Sequence, residues 1–96
     1  MIGIFRLECI ETENNYLKRS FTVKEDLEET IVMLNEGKHE NKTLQKEWNE
    51  YGEEGFEIGI PETMEFDDAS TEQEKQEVMQ EAIEEWMDVL ESVEEL

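Results

Sequence analysis

The chain has very little of several residue types. A single cysteine, Cys9, excludes an internal disulfide and any CxxC redox or metal motif. A single histidine, His39, lies between Lys38 and Glu40 with no Cys or Ser motif beside it, and reads as a surface residue rather than a catalytic one. Five glycines and one proline leave no glycine-rich phosphate loop; Gly52, Gly55 and Gly59 fit turns and a strand end. No apolar run approaches the ~18 residues of a membrane span, and the first residues lack a charged-then-apolar leader, so a soluble cytoplasmic protein is expected. The scarcest class is positive charge: eight Lys and Arg face 28 Asp and Glu, for a net charge of −20. Such a charge repels nucleic acid and anionic lipid, so direct binding to either is not expected.

The 96 residues suffice for one domain with one core. Apolar residues make up 36%, below the ~45–50% usual for globular chains. Regular apolar periodicity nevertheless marks a folded α+β domain. Phe5, Leu7 and Cys9 alternate with Arg6 and Glu8, so residues 2–10 read as a strand with one buried face. The Asn14-Asn15 pair suits a tight turn, after which residues 16–22 return as the second strand of a hairpin. Val23, Leu27, Ile31 and Leu34 recur at helical spacing behind a Thr22-x-x-Glu25 capping box, with Gly37 as a stop, predicting a helix over 23–36. Leu44, Trp48 and Tyr51 place a second helix at 41–51. Phe56, Ile58 and Ile60 form a short third strand ended by Pro61, and 61–70 reads as a loop. A long final helix over 71–95 starts at a Thr71-x-x-Glu74 box. The expected architecture is a small antiparallel sheet packed by two mid-chain helices and this long acidic helix, with Trp48 and Trp86 in the core.

Negative charge is unevenly placed. The first 23 residues carry three acids and three bases, whereas residues 53–96 carry seventeen acids against one base, Lys75. Glu74, Glu77, Glu81, Glu84, Asp88, Glu91 and Glu95 recur at alternating intervals of three and four, which places them on one helical stripe. Each like-charge pair at such spacing costs roughly 0.2–0.5 kcal/mol, so six successive pairs cost on the order of 1–3 kcal/mol. Acids at a helix C-terminus also oppose the macrodipole. Residues 72–96 have a net charge of −9; over a helix of ~37 Å that is one charge per ~4 Å, against ~3.4 Å per phosphate along one DNA strand. Glu62, Glu65, Asp67 and Asp68 precede the helix and Glu85 flanks the stripe, extending one candidate partner-binding surface.

On the strength of its size, its charge and the stripe from Glu74 to Glu95, the chain resembles the small acidic DNA-mimic proteins of phages and mobile elements, of the anti-restriction and anti-CRISPR kind. The resemblance lies in charge pattern and carries no sequence motif. It implies an inhibitor that fills the basic nucleic-acid-binding cleft of a CRISPR effector, restriction enzyme, nuclease or nucleoid protein, acting in the bacterial cytoplasm if phage-borne. It implies no enzyme activity, cofactor or metal. An immunity or antitoxin protein for a basic nuclease would work in the same way. The opposite face of the final helix supports a different reading. Met79, Ile83, Trp86, Leu90 and Val93 form a coiled-coil-like seam that could pair with a partner helix or a second copy, making the chain an adaptor or homodimer. Halophilic acidity, an acidic disordered tail and a calcium loop at Asp67–Glu72 are weaker accounts. The first fails because the N-terminal segment is neutral, the second because the seam is regular, and the third because no closing acid and loop glycine are present. Cys9, in register with Phe5 and Leu7, is expected to be a buried, inert thiol.

Overall fold

A computed structural model describes all 96 residues. Strand β1 (Ile2–Cys9) pairs antiparallel with β2 (Asn15–Ser20), as the alternating pattern predicts. The turn between them is not set by the two asparagines. Glu13 takes the left-handed conformation (φ 63°), while Asn15 is already in β2. Helix α1 (Val23–Asn35) and helix α2 (Lys42–Tyr51) follow, then a 3-10 turn at Glu53–Gly55 and strand β3 (Phe56–Met64). Helix α3 (Glu72–Val89) and strand β4 (Val93–Glu95) complete the chain. The sheet order is β3-β1-β2-β4, with β4 parallel to β2, so the α+β class is as read from sequence but the sheet is mixed.

Three local expectations are corrected. The Thr22 side chain makes no capping bond; its backbone N–H instead donates to Ser20 Oγ at 2.9 Å. Thr71 does cap α3, its Oγ1 accepting from Glu74 N–H at 3.1 Å. Pro61 does not end β3. The strand continues to Met64 because it lies at the sheet edge, where a residue without an N–H is tolerated, and the register slips beside Pro61: Arg6 faces Gly59 but Ile4 faces Glu62. Most consequentially, α3 stops at Val89 and not at 95. Leu90 is extended (φ −96°, ψ 133°), and the chain turns so that residues 93–95 pair with the free edge of β2. Continuing the helix would add Glu91, Glu94 and Glu95 to its negative end, whereas turning sets Glu94 on the Asn41 side-chain amide and Glu95 on Arg19.

Strand β1 is buried on both faces, not one. Phe5, Leu7 and Cys9 face α1 and α2, packing with Tyr16, Val23, Leu34, Leu44, Trp48 and Phe56. Trp48 stands 5.1 Å from Phe56 between ring centroids, and its indole N–H donates to Asn35 Oδ1 at 3.0 Å. On the other face Ile4 and Leu17 meet Ala82 and Ile83 of α3, with Met64, Trp86, Leu90 and Val93 around them. The apolar seam of the last helix is therefore consumed inside the chain and is not a free pairing surface: Met79 and Ile83 are buried, and Trp86, Leu90 and Val93 are half-buried at the margin of the second core.

Gly3 pairs with Thr63 of β3, with no room for a side chain between the strands. A Cβ there would come within 2.4 Å of the Glu62 carbonyl oxygen. Gly3→Ala is expected to push β3 outward and to destabilise the fold by about 1–3 kcal/mol, read as a lower midpoint in urea denaturation. An unchanged midpoint would show that β3 yields freely at this position.

Candidate functional site

Titratable side chains converge in one recess, on the α1 side of the sheet. Helix α1 ends in a full Schellman arrangement: Gly37 N–H donates to Leu34 O at 3.1 Å and Lys38 N–H to Met33 O at 2.9 Å, with Gly37 at φ 73°. This reverses the chain and delivers His39 back toward the sheet. Two bonds then hold His39. Its backbone N–H donates to the Gln45 side-chain oxygen at 2.9 Å, and its Nδ1 accepts from the Asn41 backbone N–H at 3.0 Å. With Nδ1 engaged as an acceptor, the neutral ring carries its proton on Nε2 and is a donor there. Burial pushes the imidazole below its ordinary value of 6.5; Glu40 opposes this and the Lys18 ammonium adds to it. Gln45 is itself buried and spans the junction, donating to Leu34 O and Asn49 Oδ1, each at 2.9 Å. Asn41 caps α2 through Oδ1, which accepts from Leu44 N–H at 3.0 Å.

Lys18 approaches from β2. It pairs with Phe5 across the hairpin and so projects on the same face as the first core, toward α1. Its Nζ lies 3.9 Å from Asp26 Oδ2, and Asp26 also takes the hydroxyl of Ser20. Lys18, Thr30, Met33, His39, Glu40 and Leu96 enclose a recess of about 180 Å³. An ammonium and an imidazole N–H donor lining one small volume, with the Glu40 carboxylate at its rim, make a site suited to an oxyanion such as a phosphodiester. No three His, Cys, Asp or Glu side chains come together as a metal-binding group.

A second polar cluster performs a different task. The Glu47 carboxylate, on α2, accepts from Tyr16 at Oε1 and from Thr12 and Asn14 at Oε2, the last at 3.1 Å. Burial alone would raise its pKa, but the bonds from Thr12, Tyr16, Asn14 and Cys9 outweigh that and hold it below its ordinary range. Burial and the same Glu47 bond raise the Tyr16 phenol. A carboxylate saturated by three donors cannot serve as a base; it pins α2 to the hairpin turn. On the other face of the sheet, Arg6 lines the edge of a larger open cleft of about 300 Å³ with Glu57 and residues 58–61. Its guanidinium is already committed, Nε to Asn15 Oδ1 at 2.9 Å and Nη2 to Glu8 Oε1 at 3.0 Å.

The acidic residues singled out from sequence do not form one surface. Glu74, Glu77, Glu81, Glu84, Glu85 and Asp88 are exposed on α3, and no ion pair reaches them. Glu91 lies beyond the helix in the turn, and Glu95 is in β4, 3.1 Å from Arg19 Nε. Glu62 turns inward to accept from the Trp86 indole at 2.9 Å. Asp67 closes a local turn by accepting from Ala69 N–H, while Glu65 and Asp68 are solvent-exposed. Sequence reasoning missed the pairing of Lys18 with His39, since residues twenty-one positions apart share no periodicity. The one available signal was that the first 23 residues are neutral in a chain of net charge −20. It also missed Gln45 and Glu47, polar residues that the amphipathic pattern of α2 assigns to solvent.

Two outcomes are expected. Glu47→Leu removes the acceptor of the buried Tyr16 hydroxyl and of the more accessible Thr12 and Asn14, and should destabilise the fold by about 1–3 kcal/mol. Because the folded-state pKa of Glu47 is lowered, its stabilisation is present above its ordinary value of 4.5 and is lost as pH falls through the lowered one, so the variant should lose the acid-side slope of a stability-versus-pH curve. His39 should appear as the Nε2–H tautomer in ¹⁵N spectra and titrate below 6.5. Observation of the Nδ1–H tautomer would refute the Asn41 bond.

No protein-family model and no curated protein matches the chain. Solved structures do. The fold is similar to the catalytic domain of homing endonuclease I-TevI, with a TM-score of 0.72 and 19% identity, over 94% of this chain and 88% of that one. A point mutant of the catalytic domain of intron endonuclease I-TevI aligns over 93% of this chain and 82% of that one, with a TM-score of 0.70 at 19% identity. At this identity the likeness is one of fold. It overturns the expectation of an acidic inhibitor that is no enzyme and makes no direct contact with nucleic acid: nearly the whole chain is similar in fold to an endonuclease catalytic domain.

Proposed function

We propose that this chain is a nuclease-like domain that takes a phosphodiester of DNA into the recess between Lys18 and His39. The observation that carries the reading is the likeness of fold to an endonuclease catalytic domain over more than nine-tenths of the chain. The recess supports it chemically. Hydrolysis of a phosphodiester adds water to phosphorus, breaks a P–O bond and sends a proton to the departing alkoxide, while negative charge builds on the non-bridging oxygens. The Lys18 ammonium and the His39 Nε2–H are donors fixed in place before substrate arrives, and preorganised donors of this kind stabilise that charge. Glu40, exposed at the rim of the same recess, is the carboxylate placed to accept a proton from water, since Asp26 is held by Ser20 and Lys18.

The acidity of the chain bears on conditions. With a net charge of −20 the molecule as a whole repels DNA, so a divalent cation that offsets this repulsion favours the encounter. The test is a nicking assay on supercoiled and single-stranded DNA with magnesium or manganese. Lys18→Met and His39→Ala are each expected to lower the rate by about a hundredfold with unchanged far-ultraviolet circular dichroism. Wild-type protein that neither binds nor cuts DNA, or cutting indifferent to both substitutions, would overturn the reading.

A further inference from the structure

The recess has an acidic neighbour supplied by the chain itself. Strand β4 lies along the outer edge of β2 in the register Asn15–Val93, Tyr16–Glu94 and Leu17–Glu95. Asn15 N–H donates to Ser92 O at 2.8 Å, Leu96 N–H to Leu17 O at 2.7 Å, and the Ser92 hydroxyl meets Asn14 Oδ1 at 2.6 Å. The carboxylates of β4 are bound to donors on the two faces of the sheet, Glu94 on the recess side and Glu95 on the other. Glu94 Oε1 accepts from Asn41 Nδ2 at 2.9 Å, and the backbone of that same Asn41 fixes the His39 ring. Glu95 lies against Arg19, and Leu96 forms one wall of the recess that holds Lys18 and His39.

Two of the three bases in the first 23 residues, Lys18 and Arg19, are adjacent on β2 and project from opposite faces, flanking the edge that β4 covers. β4 is also lightly held. It is three residues long, pairs on one side only, and no residue of it is fully buried. Such short edge pairing belongs to the low-stability end of local opening. This acidic segment pairs with Asn15–Leu17, directly before the two bases, and its carboxylates occupy the Arg19 guanidinium and the Asn41 amide, donors that a phosphate can also engage.

We propose that the outer edge of β2, with Arg19 on one side and Lys18 and His39 on the other, is the surface that accepts a single strand of DNA, and that β4 is the chain's own competitor for it. The proposal rests on the nuclease-like reading. Displacing β4 frees the Arg19 guanidinium, the Asn41 amide and the recess wall at Leu96 together, and withdraws two carboxylates from the surface. A chain of net charge −20 thereby presents a locally basic edge only when its last strand has left.

The test uses the full chain and a fluorescein-labelled single-stranded oligodeoxynucleotide, with binding read by anisotropy at constant ionic strength. The release variant is Glu94→Gln/Glu95→Gln. Glu77→Gln/Glu81→Gln is the control, because it makes the same change of net charge on the exposed face of α3. Hydrogen exchange at the Leu96 amide reports separation of β4 independently of binding. If β4 is closed about nine-tenths of the time, release should tighten binding about tenfold relative to the control, with faster Leu96 exchange, and adding Lys18→Ala should remove the gain. Faster exchange with DNA binding no better than in the control would overturn the competitor role while leaving the nuclease-like reading intact. Faster exchange with no binding in any variant would overturn both. Leu96 exchange unchanged in the release variant and in Leu96→Asp would show that β4 is a fixed part of the sheet and would also overturn the proposal.

Discussion

The structure depends on the double burial of β1. Hydrogen-bonded along both edges and packed on both faces, this strand forces the chain into layers, with α1 and α2 against Phe5, Leu7 and Cys9 and α3 against Ile4. A fold of under a hundred residues gains much of its stability from such an arrangement, because Ile4, Phe5, Leu7 and Cys9 of the central strand leave water completely. The close approach at Gly3 follows from the same constraint, as does the assignment of the α3 seam to the interior. The 18-residue helix spends Met79, Ala82 and Ile83 on closing the sheet and leaves Val78, Met87 and Val89 as its exposed apolar residues.

The distribution of charge follows from this layering. The acids of α3 lie outward because its other face is consumed by the second core, and the helix tolerates their repulsion only as far as Val89. Beyond that point the chain changes direction and, past the exposed Glu91, sets Glu94 on Asn41 and Glu95 on Arg19. The acidity is thus of two kinds. Five carboxylates of the stripe, from Glu74 to Asp88, are solvated and form no ion pair, Glu91 is exposed in the turn, and Glu95 is held by Arg19. A uniform row matched to phosphate spacing requires the helix to run on to residue 95, and it does not.

The recess depends on how three polar side chains are held rather than on their identity alone. Asn41 and Gln45 are ordinary residues at the start of α2, yet one fixes the tautomer of His39 and the other its backbone. Lys18 is one of three bases in a neutral hairpin, yet β2 aims it past Phe5 into the same volume. Glu47 shows the opposite case, a buried carboxylate made inert by the number of its donors. The chemistry of each group is set by what surrounds it.

Local periodicity was enough to place most elements: the hairpin, both mid-chain helices, the beginning of β3 and the start of α3 are written in alternation, helical spacing and caps. These are short-range effects, each decided within one turn or one strand. Thr22 shows their limit, since its capping pattern is present but Ser20 and Asp26 engage the helix start instead. What lay beyond the sequence was pairing across distance. The free edge of β2 recruits residues 93–95, which ends α3 early and breaks the acidic stripe; β3 runs through Pro61 because it is an edge; and Lys18 meets His39 only once α1 has reversed at Gly37. Composition and periodicity established an acidic α+β domain. Which charges stand together, and therefore what the domain can bind, was decided by tertiary contacts, because electrostatics and hydrogen bonding act between neighbours in space and not in sequence.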